Sequence, residues 1–182
     1  MSIVKSTFSL VKEPLVRKYG IPAVVIAVLA SGGVALANGH SPRPSREKGH
    51  VRVIKVFALT VQFKMIDLGD PGFSLGDQAV FSDNLLTSKN GSVVGYDGGV
   101  CTVVRVVNAT TGTGTLQCPV TFSLSNGQIA TQGLVQLTNG QFTGTQTTAI
   151  TGGTGSFREA RGQATVEFLS NTEANITFFV AR

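Results

Sequence analysis

From residue 51 to the end, apolar and polar residues alternate in short runs, and Asn-Gly or Gly-rich turns separate the runs. No stretch of this region repeats with helical spacing. A chain patterned this way has to build sheet. Strands are expected at residues 53–66, 78–87, 93–107, 115–124, 128–137, 141–150, 162–169 and 173–181. The turns between them are Lys89-Asn90-Gly91, residues 108–114, Asn126-Gly127, Asn139-Gly140, residues 152–155 and Ser170-Asn171. Asn and Gly tolerate positive φ, which favours tight antiparallel hairpins. Consecutive hairpins make a meander. Eight meandering strands close most readily into an eight-stranded antiparallel up-and-down β-barrel, because closure removes exposed edges. A two-sheet sandwich is the alternative. The composition agrees with sheet: 22 Gly and 11 Phe, with no Trp and abundant Val and Thr.

The formal net charge of +5 comes from the N-terminal part, where Lys5, Lys12, Arg17, Lys18, Arg43, Arg46 and Lys48 lie. Past residue 51 the charges balance, and no cluster of Lys and Arg with interleaved aromatics marks a nucleic-acid face. The basic leader is followed by the apolar run Ile21 to Ala30 and by Ala35-Leu36-Ala37, the three parts of a secretory signal. Residues 1–37 therefore read as a signal peptide cleaved after Ala37, giving a secreted protein. The alternative is an uncleaved membrane anchor, the chain's only expected contact with a membrane. Residues 38–52 read as a polar linker and 53–182 as the barrel domain. His40 and His50 fall in the linker and read as solvated.

One stretch invites a different reading. Gly152-Gly153-Thr154-Gly155 has the look of a phosphate-cradling loop. Such a loop needs a strand before it and a helix after it. Here Gly162 and the alternating "QATVEFL" follow, and no Gly-Lys-Ser or Gly-Lys-Thr is present. The glycines are expected only to turn the chain.

Four pieces, in order, resemble the allene oxide cyclase barrel superfamily, which includes the dirigent proteins. They are Gly76-Asp77 with "AVFSDNLLT", Val94-Gly95 leading to Gly99-Val100-Cys101, "GQIATQG" at 127–133, and "AITGGTGSFREARG" ending at Gly162. The resemblance implies an eight-stranded barrel around an apolar cavity, using neither an organic cofactor nor a metal. It also implies a homo-oligomer, a trimer or a dimer. The implied activity is steering the cyclisation or stereoselective coupling of a reactive hydrophobic intermediate, as a cyclase, isomerase or dirigent-like protein of natural-product biosynthesis.

Carried over residue by residue, the cyclase carboxylate and amide of the first strand fall on Gln62 and Lys64, counting back from Pro71. A second-strand asparagine becomes Asp83, a fifth-strand tyrosine becomes Val135, and Cys101 keeps its identity. Gln62 cannot act as an ionised carboxylate, so true allene oxide cyclase activity is not expected. Asp83 also keeps the first Asp of a dirigent motif. It either lines the cavity as a proton carrier, with Phe81 and Leu85 on the same face, or sits at the surface. Tyr96 and Arg105 are candidates to polarise the substrate. On the first strand, alternation puts Phe57, Leu59, Val61, Phe63 and Met65 on one face, whereas the resemblance turns Gln62 and Lys64 inward. A one-residue slip would reconcile the two.

Cys101 and Cys118 are the only cysteines, and they flank residues 109–110 almost symmetrically. After export they are expected as a cross-strand disulfide; a free Cys101 thiol in the pocket is the alternative. The domain has no His, which removes Cys-His and Ser-His-Asp nucleophiles and argues against a His/Cys metal site. Two further functions stay open beside steering of a reaction: a non-catalytic carrier of a small apolar ligand, and a structural oligomer with a filled barrel.

Overall fold

The computed structural model describes residues 50–181, and there every alternating run is a strand. They are β1 (Val51–Ile66), β2 (Gln78–Leu86), β3 (Val93–Asn108), β4 (Thr113–Leu124), β5 (Gly127–Thr138), β6 (Gln141–Phe142), β7 (Gly144–Gly153), β8 (Arg161–Phe168) and β9 (Glu173–Ala181). Antiparallel pairing runs β4-β3-β2-β1-β9-β8-β7-β5, and β4 also pairs with β5. The sheet is thereby closed. The two-residue β6 only extends the β5 hairpin, so the wall is an eight-stranded antiparallel barrel without a free edge. The signal segment, its cleavage point and most of the linker fall on residues 1–49, outside the described residues.

Several strand ends depart from expectation by one to three residues, and one strand is divided. β1 opens at Val51, two residues early, because Val51 and Arg52 pair with Ala181 and Val180. The expected sixth strand is divided in two. Gly144 takes a φ of +69°, which L side chains rarely adopt, and the chain turns there. β6 pairs with Leu137 and Thr138, while β7 rejoins β5 only from Gln132↔Ala149 onward. The side chain of Gln146 spans the opened ladder. Its Oε1 accepts the Gln136 N–H at 2.6 Å, and its Nε2 donates to the Gln136 carbonyl at 2.9 Å. A carboxamide offers the same donor and acceptor as a peptide group, so it replaces the missing rung.

β1 carries a bulge between Thr60 and Gln62. An extra residue in one strand reverses the facing of everything beyond it. Ala58 and Thr60 therefore face inward before the bulge, and Phe63 does so after it. Neither reading of this strand holds along its whole length. Of the odd-numbered row, Phe57 is buried and Phe63 lines the cavity while staying 56% exposed, and Leu59, Val61 and Met65 are exposed.

The glycine loop is part of the barrel's floor. Thr154 N–H donates to the Gln128 carbonyl and Ser156 N–H to the Asn126 carbonyl, both at 2.9 Å. A Cβ on Gly155 would lie 2.5 Å from the Asn126 oxygen, and its φ is +58°. Only glycine permits this close docking onto the β4–β5 hairpin. A single 3-10 turn, Gly155–Phe157, then drops the Phe157 ring into the apolar cluster formed by Ile129, Ile150, Phe122 and Phe178. Phe122 and Phe178 meet edge to face at 4.9 Å.

Candidate functional site

Above this floor the barrel encloses a cavity of ≈ 100 Å³. One water needs roughly 10–15 Å³ by this measure, so the cavity has room for a small ring system. Register decides what lines it. β2 and β3 pair Asp83↔Asp97, β1 and β2 pair Thr60↔Asp83, and β3 and β4 pair Asp97↔Phe122. Thr60, Asp83, Asp97 and Phe122 thus form one inward row. The next row is Phe63, Phe81, Gly99 and Val120. Gly99 has no side chain where Phe81 needs space: a Cβ there would lie 2.8 Å from the ring. Phe142 and Phe168, stacked at 5.3 Å, line another part of the wall.

Two carboxyl groups in apolar surroundings cannot both be ionised cheaply. Asp97 is 1% exposed. Burial, and then the charge of Asp83, push its pKa up to about 8, partly offset by the Asp83 backbone N–H that donates to its Oδ1 at 3.2 Å. Burial also raises Asp83, and hydrogen bonding from Thr60 and then Asp97 pulls it back. The pair therefore holds one shared proton near neutral pH, resident mainly on Asp97. Asp83 Oδ1 is buried without a partner among the described residues. The site accordingly presents a carboxylate and a carboxylic acid side by side, able to accept and to return a proton.

Of the residues singled out from the sequence, Asp83, Phe81, Cys101 and Val135 line the cavity. Cys101 and Cys118 are bonded to each other, with Cα atoms 4.1 Å apart, and form part of the cavity wall. The Cys101 thiol is therefore not free. Gln62 and Lys64 are exposed and stand opposite Ser82 and Val80 on the outer surface, because the bulge turns them out. Tyr96 is 58% exposed, its parity being opposite to that of Asp97. Arg105 is exposed, past the irregularity at Val103 to Arg105.

Asp97 went unnoticed in the sequence, although a signal existed. Asp83 and Asp97 are equidistant from Asn90, the centre of their hairpin turn. Asp77, also missed, is structural. It is buried, which opposes its charge, yet Leu68 N–H at 2.8 Å, Ser74 N–H at 2.6 Å and the Ser74 hydroxyl hold its pKa below the ordinary value. It ties down the β1–β2 loop.

The chain belongs to the allene oxide cyclase barrel like domain family, whose model matches residues 57–180. Among solved structures it is similar to a pyocyanin demethylase, with 31% identity, a TM-score of 0.60, and coverage of 70% of this chain and 99% of that one. It shares the fold of a pterocarpan synthase dirigent protein at 18% identity, with a TM-score of 0.53 and coverage of 74% and 84% of the two chains. It also shares the fold of the Diels Alderase AbmU from Streptomyces koyangensis at 11% identity, with a TM-score of 0.54 and coverage of 77% and 72%. No curated protein sequence matches it.

Proposed function

We propose that this barrel binds a small, largely apolar, reactive molecule and steers its cyclisation or coupling by proton transfer at Asp83 and Asp97. The observation that carries the reading is the carboxyl pair facing a mostly apolar cavity. A mere carrier gains nothing from two buried acids, whose burial costs stability unless the site uses them. Asp83 is the base, Asp97 the acid, and Thr60 positions Asp83. The walls hold the guest in a reactive conformer. The protein is read as secreted, with a homo-oligomeric assembly in keeping with its family.

A second reading rests on the similarity to a pyocyanin demethylase at 31% identity. It makes an aromatic heterocycle the occupant and demethylation the reaction, and incubation with pyocyanin tests it directly.

The proton-transfer reading is tested with 5-nitrobenzisoxazole, a small aromatic that opens when a base removes its ring proton. The barrel should accelerate this opening at pH 7–8, and Asp83→Asn should lower the rate about 100-fold, the low end for positioned acid–base catalysis. Equal rates in wild type and variant would remove the carboxyl pair from the mechanism.

A further inference from the structure

The cavity has a charge signature as well as a shape. Its lining includes three acidic residues, Asp83, Asp97 and Glu173, and no Lys or Arg. Glu173 is already neutralised at the rim by Lys89, 2.9 Å away. Among the described residues, Asp83 and Asp97 have no basic partner. Around them stand the rings of Phe63, Phe81, Phe122, Phe142 and Phe168. Aromatic faces carry negative potential and attract cations, most strongly when water is excluded.

A second observation also points to a ligand site. Thr148, on β7, lines the cavity and is 7% exposed, yet its Oγ1 has no hydrogen-bond partner among the described residues. Buried hydroxyls are rarely left unpaired, because an orphan keeps the full cost of losing its water. β7 lies four strands round the circle from β2, so Thr148 and Asp83 come from opposite walls. A flat molecule between those walls meets an orphan carboxylate oxygen on one side and an orphan hydroxyl on the other.

We infer that the cavity selects a flat organic cation, a protonated or N-alkylated aromatic heterocycle, over a neutral ring of the same shape. This rests on the proposed function in taking the cavity as the binding site, and it adds the charge of the substrate. Asp83 and Asp97 supply the counter-charge, the Phe rings supply the faces, and Thr148 hydrogen-bonds a polar substituent. A reacting molecule that becomes cationic only on the way to product gains the same stabilisation. Since the pair holds a proton near neutral pH, a bound cation also displaces it, releasing up to one proton as one positive charge enters. The titratable groups facing the guest are Asp83, Asp97 and the Lys89-paired Glu173.

The test uses two probes of matched shape, N-methylquinolinium and 1-methylnaphthalene, read by their own fluorescence, since the protein contains no Trp. The cation should bind at least about tenfold more tightly at pH 7.5, which is about 1.4 kcal/mol. Calorimetry in buffers of different ionisation enthalpy should show proton release with the cation and none with the neutral probe. The Asp83→Asn, Asp97→Asn double variant should bind both probes alike, with the neutral probe's affinity unchanged; single Asp83→Asn gives the same direction if the double variant does not fold. Equal or tighter binding of 1-methylnaphthalene by wild type would overturn the inference while leaving an apolar guest site in place. Failure of both probes to bind folded protein would overturn the inference and the cavity reading together. Charge selection without any Asp83-dependent opening of 5-nitrobenzisoxazole would sink the proposed catalysis alone.

Discussion

Asp83 and Asp97 face each other across the β2–β3 hairpin, and the Asp83 backbone N–H donates to Asp97 Oδ1 at 3.2 Å. The contact places two acids side by side inside a barrel whose remaining wall is mostly apolar. Their shared proton links the stability of the fold to pH.

In the unfolded chain an Asp releases its proton near pH ~3.9, whereas native Asp97 keeps it up to about 8. Between these values the native state binds more protons than the unfolded state, so stability falls as pH rises. The slope is at most about 1.4 kcal/mol per pH unit for one proton. Urea unfolding from pH 4 to 9 should show this decline, levelling off above 8, and Asp97→Asn should flatten it. Asp77 acts at the other end. Its lowered pKa contributes stability above the unfolded value that is lost as pH falls further.

Gln62 and Lys64 lie outside the cavity, so replacing either by Ala should change stability by no more than about 0.5 kcal/mol. The rate with 5-nitrobenzisoxazole should stay at wild-type level. Thr60→Val, by contrast, removes the hydroxyl that favours ionised Asp83. Its pH–rate profile should shift to higher pH with the limiting rate retained. A profile identical to wild type would end the positioning role of Thr60.

The disulfide closes a loop with a sequence separation of 17, a length for which chain entropy gives about 3 kcal/mol. Cys101→Ala, Cys118→Ala should lose about that much in urea unfolding, as should wild type in reductant. A smaller loss would mean that the β3–β4 pairing already restricts the unfolded chain.

Thr148→Val should stabilise the free protein by about 1 kcal/mol, since an orphan hydroxyl is exchanged for a methyl of the same shape. A destabilised variant would show that Thr148 already has a partner in the free protein, and thermal melts decide it.

Much of the wall was legible because strand length and turn chemistry are local. Alternation marked the strands, and Asn90 and Asn139 take positive φ in the turns where Asn-Gly placed them. Facing was harder to read. The bulge after Thr60 follows from how β1 meets β2, and the apolar residues on both sides of β1 hide the reversal. The break before β7 was hidden for a related reason: Gly144 looks like any strand glycine until its φ is known. In the site, Asp83 was visible through the resemblance and its parity. Asp97 was not, because a pair is a property of register, and only counting outward from Asn90 exposes it. Tyr96, one residue away, drew attention by its chemistry while its parity points it into solvent.

Asp83 and Asp97 hold one proton between them at neutral pH inside the cavity. Side-chain carboxyl carbons of 13C-labelled aspartate, followed by NMR from pH 3 to 10, test it most directly. One carboxyl signal should titrate near 8, a second signal should move in the same step because the two carboxyls interact, and both features should vanish in Asp97→Asn. A spectrum in which every aspartate has ionised below pH 5 would contradict it.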